Sequence, residues 1–369
     1  MKIIEMISLF DMEARLQKHN DRILEIIKDV ISSGNFIQGQ EVQKFEANFA
    51  EYTGAESCVA VANATDGLEI ALKALGVGIG HKVLTVANAG YYSTAAIFNV
   101  GARPVYIDVN PDTFNMDTEL LLNSTFEDIN CVIITHLYGL PVLDILKVVE
   151  FCRKNKIFLI EDCSQAHGTR LDGSHVGTFG DIGVFSFYPT KNLGALGDAG
   201  CLITSDPFLL QRIRQLRNYG WETKYNIVVR GGRNSRMDEI QAAILNYFLL
   251  DLDNQIKLRK EKAKFYHDGL DKSFVRFQRI HISHSYHLFI IKVHNREKII
   301  SNLKSRNVET AIHFPIPDHL QKAYFPNQFK LPVTEKLCKE IMTLPFYPEM
   351  SFEKINYVCH SVNEVKNHQ

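Results

Sequence analysis

The feature that most constrains this chain is a rhythm of short apolar runs. They fall at residues 58–62, 83–86, 104–109, 131–135, 157–160, 182–187 and 201–204. Runs this short and apolar read as buried strands, and most of the stretches between them read as helices. The stretch 143–155 is amphipathic, and residues 92–99 suit a helix after Tyr91-Tyr92. Strands that alternate with helices at this spacing give a parallel, doubly wound sheet. The expected fold class is therefore α/β. In such sheets a ligand sits beyond the carboxyl ends of the strands.

The flanks extend this plan. Residues 16–32 carry apolar residues at helical spacing and stop at Gly34, and 40–52 stop at Gly54. Residues 207–217 read as helix and 218–233 as an irregular loop. A long helix is expected from 235 to 253, continuing to about 266 and crossing between domains. After about 270 the pattern changes to strand 286–293, helix 296–306, strand 311–314 and helix 332–342, a smaller α+β unit with the loop 318–331 on its surface. With 369 residues the chain can hold two domains, expected at 1–250 and 251–369. It contains no internal repeat and no low-complexity segment.

Composition removes several classes of function. The formal net charge is −1, so nothing draws the chain generally toward nucleic acid or a membrane surface. No run of 18 apolar residues exists, and residues 1–15 carry Glu5, Asp11 and Glu13 in place of a secretory apolar core. Seven cysteines without a Cys-x-x-Cys pair argue against a disulfide framework or a zinc site, and no metal is expected. Cys58, Cys131 and Cys201 lie in strand-like runs and read as core. The expected compartment is the cytoplasm.

One stretch carries chemistry. In Phe185-Ser186-Phe187-Tyr188-Pro189-Thr190-Lys191-Asn192-Leu193-Gly194-Ala195-Leu196-Gly197-Asp198-Ala199-Gly200, an apolar strand meets a proline and then a single lysine. Removing a lysine from water favours its neutral amine, the form that attacks a carbonyl. A lysine on a surface turn, its stem along Phe187, is the plain alternative. A second stretch, Ile160-Glu161-Asp162-Cys163-Ser164-Gln165-Ala166-His167-Gly168, places an acid where a buried strand stops. An acid there and a lysine after a later strand are the two groups pyridoxal phosphate requires. The acid keeps the pyridine nitrogen protonated, and the lysine carries the aldehyde as an imine. Asp162 could instead cap the element that follows. Between strand 58–62 and helix 68–75, Asn63-Ala64-Thr65-Asp66-Gly67 puts helix N-terminal amides at a strand end, a phosphate seat or an ordinary cap. No Gly-x-Gly-x-x-Gly follows the first strand, which argues against a Rossmann dehydrogenase.

These motifs, with Gly34-Asn35-Phe36-Ile37-Gln38-Gly39 near the start and Leu344-Pro345-Phe346-Tyr347-Pro348 near the end, resemble the DegT/DnrJ/StrS nucleotide-sugar aminotransferases over nearly the whole chain. The resemblance implies an aspartate-aminotransferase-like fold and pyridoxal 5′-phosphate as cofactor. By position, Lys191 corresponds to the lysine that binds the cofactor and shuttles the proton, and Asp162 to the partner of the ring nitrogen. Gln165 matches the residue that reaches the phenolic oxygen, and Tyr91 the aromatic that stacks on the ring, with Tyr92 beside it. Thr65, the backbone of Ala64 or Asp66, and Ser186 match the phosphate site. Family members often have Gly-Thr where this chain has Ala64-Thr65. Asn234 matches an asparagine that enters the other subunit's site, which implies a homodimer with composite sites. His313 matches a segment at the active-site mouth and is assigned to substrate positioning, and Lys224 with Tyr225, in the loop before Asn234, are expected to meet the substrate diphosphate across the dimer. His319 is left open and His167 is assigned to packing.

The function so implied is transamination from glutamate to a nucleotide-linked keto-sugar. The residues after Lys191, with Asn218-Tyr219-Gly220-Trp221, resemble the subgroup acting on dTDP-3-keto-6-deoxyhexoses; the 4-keto subgroup tends to have Thr-Thr-Gly-Glu after the lysine. The alternatives are a 4-keto or other nucleotide-sugar aminotransferase, a related sugar dehydratase, and a non-catalytic regulator that keeps the fold. The dehydratases replace the lysine with histidine, which Lys191 opposes. The intact lysine, acid and phosphate seat oppose the regulator.

Overall fold

A computed structural model of the chain describes residues 6–124, 127–324 and 329–365. Residues 325–328 of the expected loop 318–331 lie outside the described residues. Helices α1 (Met12–Gln17), α2 (Asn20–Ser33) and α3 (Gln40–Thr53) precede strand β1 (Ser57–Val61). α2 and α3 end where Gly34 and Gly54 adopt left-handed backbone, at φ 67° and 78°, a conformation that glycine reaches without strain. Then come α4 (Ala64–Ala74), β2 (Lys82–Thr85), α5 (Tyr92–Asn99), β3 (Arg103–Tyr106), α6 (Thr118–Asn123), β4 (Ile129–Thr135), α7 (Ile145–Asn155) and β5 (Phe158–Asp162). A small hairpin, β6 (Arg170–Leu171) with β7 (Ser174–His175), leads to β8 (Ile182–Ser186), β9 (Gly200–Thr204) and α8 (Pro207–Leu216).

The seven-stranded sheet has the order β1-β9-β8-β5-β4-β2-β3. Pairs from β3 through β8 are parallel, whereas β9 runs antiparallel to both β8 and β1. The expected parallel, doubly wound sheet is present with this one reversed strand. Each face carries its own core. Phe45 and Phe49 of α3 pack with Phe185 and Phe187 on one face, and Leu68, Ile70 and Leu72 of α4 pack with Val184 and Leu202 on the other.

The expected single helix 235–266 is two: α9 (Glu239–Leu249) and α10 (Leu252–Gly269). Asp251 sits between them with φ −109° and ψ 2°. Its carboxylate accepts from the side chains of Asn254 and Gln255, local bonds that favour a cap over continued helix. The hairpin β10 (Trp221–Thr223) and β11 (Asn226–Ile227) lies within the expected loop 218–233. Beyond α10, strands β12 (Arg276–Phe277), β13 (Phe289–Lys292) and β14 (Ile341–Leu344) form a three-stranded sheet with α11 (Arg296–Ser305), α12 (Pro332–Glu340) and α13 (Phe352–Asn363). Its core gathers Tyr266, Phe289, Leu344, Phe346 and Val358, together with Ile7 from the other end of the chain. No helix among the described residues is long and apolar enough to cross a membrane.

Packing places several histidines where they stay neutral. Burial holds His175, His267 and His313 down to about 4, and His167, His284 and His287 well below the usual imidazole range. In the unfolded chain imidazole protonates near 6.5. The unfolded state therefore takes up protons first as the pH falls, and stability declines from about pH 6.5 toward 4. Burial raises the carboxyls of Asp318, to about 7, and Asp181, which opposes this trend with fewer groups. The urea midpoint is expected to be lower at pH 5 than at pH 7. An unchanged or higher midpoint at pH 5 would show that the neutral histidines do not govern acid stability.

Candidate active site

The strand register sets a floor. Thr135 ends β4, pairs with Asp162 at the end of β5, and Asp162 pairs in turn with Val184 of β8. Ser186 ends β8, and α4 begins just beyond β1. A cavity of about 350 Å³ opens over these ends. Its wall includes Ala64, Thr65, Asp162, Gln165, Ser186, Lys191 and His313.

Lys191 projects from a tight loop closed by Lys191 N donating to the Tyr188 carbonyl at 2.8 Å and Ala195 N to the Phe187 carbonyl at 2.8 Å. Removal from water pushes its ammonium down to about 8, against the attraction of Asp162. Asp162 is 4% exposed and accepts from Ser164 N at 3.0 Å. Gln165 accepts from Tyr138 N at 2.8 Å through Oε1, which leaves its NH₂ to donate into the cavity.

At the other wall, Asn63 caps α4 by accepting from Asp66 N at 2.8 Å. Ala64 and Thr65 head the helix, where amides have no carbonyl one turn back, so their N–H groups suit an anion. β9 passes close by: a Cβ on Gly200 would lie 2.6 Å from the Asn63 carbonyl carbon and 2.7 Å from Ala64 N. Thr135 Oγ1 is buried without a hydrogen-bond partner among the described residues, in the same wall. A desolvated amine, a buried carboxylate, helix-start amides and an unpaired hydroxyl around one cavity fit pyridoxal phosphate.

The other expected residues are placed as follows. Asp66 lies outside the wall; its amide is taken by Asn63 and its carboxylate pairs with Arg233 at 2.9 Å. The wall carries Tyr92, 51% exposed, and not Tyr91, whose left-handed φ of 73° turns the chain into α5. His313 donates to or accepts from Thr343 Oγ1 at 2.7 Å, and burial beside Lys191 keeps its ring neutral. Lys224, Tyr225 and Asn234 are exposed and outside this cavity. His167 packs between the rings of Phe185 and Phe187, and His319 contacts Glu335 at 3.2 Å.

The wall also holds Phe10, Thr135, Tyr188, Thr190, Asp198 and His287, which sequence reasoning missed. Thr135 was open to detection, since it ends an apolar run as Asp162 does. Among the described residues His136, Glu161 and Cys163 bring possible metal-ligand atoms within 4.8 Å of one another. Glu161 there already accepts from the amides of Gly177, Phe179 and Gly180 and contacts His136 Nε2 at 3.0 Å, which accounts for its burial without an ion.

Comparison with known proteins agrees with this geometry. A family model described as the DegT/DnrJ/EryC1/StrS aminotransferase family matches residues 17–363. The chain is 37% identical to the dTDP-3-amino-3,6-dideoxy-alpha-D-galactopyranose transaminase of Aneurinibacillus thermoaerophilus, over 97% of this chain and 99% of that protein. It is 36% identical to the dTDP-3-amino-3,4,6-trideoxy-alpha-D-glucose transaminase of Micromonospora megalomicea subsp. nigra, over 93% and 94%. The crystal structure of S. venezuelae DesV, in complex with a ketimine intermediate, superposes with a TM-score of 0.94 at 32% identity, covering 98% of each chain.

Proposed function

The chain belongs to the DegT/DnrJ/EryC1/StrS aminotransferase family, and on that premise we propose that it transfers the amino group of glutamate to C3 of a dTDP-linked 3-keto-6-deoxyhexose. That it is a pyridoxal-phosphate-dependent nucleotide-sugar aminotransferase follows from the family. The donor, the nucleotide and the reacting carbon are the proposal. The observation that carries the aminotransferase reading is one cavity that brings Lys191, desolvated, together with buried Asp162.

When bound, pyridoxal phosphate supplies an electron sink for the carbanion formed as the amino group moves. In this reading Asp162, buried at the end of β5, holds a negative charge against the ring nitrogen. Lys191 would hold the cofactor through Nζ and, once the incoming amine has displaced it, would use the freed Nζ to move the proton at the substrate carbon. Gln165 offers its NH₂ to the phenolic oxygen. The amides of Ala64 and Thr65, the Thr65 hydroxyl and the Ser186 hydroxyl take the phosphate, as a helix start is built to do. Asp66 supports this wall through Arg233, without facing the cavity. Tyr92, rather than Tyr91, is the aromatic proposed to face the ring. His313, neutral and fixed on Thr343, accepts or donates a hydrogen bond at the sugar without adding charge.

The homodimer belongs to the same proposal. Asn234, Lys224 and Tyr225 have no place in their own chain's cavity, and the hairpin that carries Lys224 and Tyr225 leaves Tyr225 78% and Ile227 62% exposed. A second copy seated there would bring Asn234 to the phosphate and Lys224 to a substrate diphosphate. The division at 250/251 into a large and a small unit and a cytoplasmic setting, consistent with seven free, buried cysteines, complete the reading. Support for C3 comes from the two relatives named for 3-amino sugars.

The test is to incubate the holoenzyme with glutamate and matched 3-keto and 4-keto nucleotide sugars across a dilution series. The 3-amino product is expected, with specific activity falling once the dimer dissociates. Exclusive formation of the 4-amino product would reject C3. Undiminished activity as a monomer would reject composite sites.

A further inference from the structure

We propose that Arg15, outside the cavity, sets the position of Lys191 by clamping both ends of its loop. This rests on the reading that Lys191 holds the cofactor. Arg15 lies on α1, whose start is fixed by Asp11 accepting from Ala14 N at 2.8 Å. Its Nη1 donates to the Pro189 carbonyl at 2.9 Å and its Nη2 to the Gly194 carbonyl at 3.2 Å. Those carbonyls lie two residues before and three residues after Lys191. A guanidinium is a rigid fork, so two bonds from one plane fix the spacing of the two carbonyls, which a single-point ammonium cannot do.

The rest of the loop is built to accept the clamp. A Cβ on Gly194 would stand 2.3 Å from the Pro189 carbonyl oxygen and 3.0 Å from Arg15 Nη1, so glycine lets the loop close on the guanidinium. The ring of Phe248 lies 4.8 Å from the Arg15 guanidinium carbon, on its face. Burial lowers the Arg15 pKa and Glu349 opposes that shift. Arg259 faces the same small space and holds the Tyr286 and His287 carbonyls at 3.2 and 3.3 Å, while Asn192 Nδ2 ties the loop to the Ser285 carbonyl at 3.2 Å. The Lys191 loop is thus held from behind by Arg15 and joined sideways to the segment that brings His287 to the cavity. Arg15 is absent from the cavity wall, which makes it a positioning residue and not a catalytic one.

The test uses Arg15→Met and Arg15→Lys in the full-length holoenzyme, with Lys191→Ala as a control. Four readouts are taken: kcat against KM for the sugar, the pH midpoint of the visible cofactor band, amide hydrogen exchange of residues 190–195 in cofactor-free protein, and the melting temperature. Arg15→Met is expected to lower kcat about tenfold with KM nearly unchanged, to move the pH midpoint by about half a unit or more, and to speed exchange in the loop about tenfold. Arg15→Lys is expected to restore the melting temperature and only part of kcat, because the fork is lost. The proposal is overturned if Arg15→Met, or Arg15→Lys where the methionine variant does not fold, leaves the pH midpoint and loop exchange at wild-type values. Failure of the underlying reading looks different: Lys191→Ala would then keep a borohydride-sensitive visible band.

Discussion

Lys191→Ala is expected to abolish transamination, with turnover falling by about four orders of magnitude or more, since on the proposed assignment one substitution removes both the cofactor's attachment and the proton carrier. The fold should survive. Lys191 contributes little to either core, and the loop around it is fixed by backbone bonds at Tyr188 and Phe187 and by the Asn192 side chain. Removing a desolvated amine also removes an unfavourable burial. The purified variant is expected to melt near wild type, to lack the borohydride-sensitive band, and to give no aminated sugar in a glutamate assay. Measurable multiple turnovers at near-normal rate would reject the assignment outright, because among the described residues no other lysine lines the cavity.

Asp162→Asn comes second in size. The amide keeps the shape of the carboxylate, and its oxygen can still accept from Ser164 N, so packing at the end of β5 is preserved. What disappears is the negative charge proposed to keep the ring nitrogen protonated, and with it the strength of the sink. Turnover is expected to fall about a hundredfold or more, while cofactor is still retained on a desalting column. A turnover within about threefold of wild type would mean that Asp162 serves only as a turn acceptor for Ser164.

Much of this was written in the sequence because the chemistry sits where secondary structure stops. The apolar runs of β5 and β8 end at Asp162 and Ser186, and a run that stops on a polar residue is visible without coordinates. The proposed phosphate seat was equally open, as a strand followed by a cap and a helix. What stayed hidden depends on three-dimensional direction. Tyr91 and Tyr92 are adjacent, and only the left-handed turn at Tyr91 decides which ring faces the cavity. Phe10 and His287 reach the wall from positions far apart in sequence, with no local pattern to announce them. Arg15 looks like any charged residue just ahead of the helix expected at 16–32, and its meaning depends on two carbonyls more than 170 residues away. The break between α9 and α10 was missed because apolar periodicity carries on through it, and Asp251 reads equally well as helix surface.

The reversed strand β9 divides the rim of this cavity for anyone who wishes to re-engineer it. Position 200 faces backbone atoms of Asn63 and Ala64, which cannot rotate away, so a randomised library there would return glycine alone among active clones. Tyr188 and Asp198 border the same cavity with side chains open to solvent, where a changed residue meets bulk water before it meets protein. Substrate scope could be broadened from that half of the rim without disturbing the half proposed to seat the cofactor.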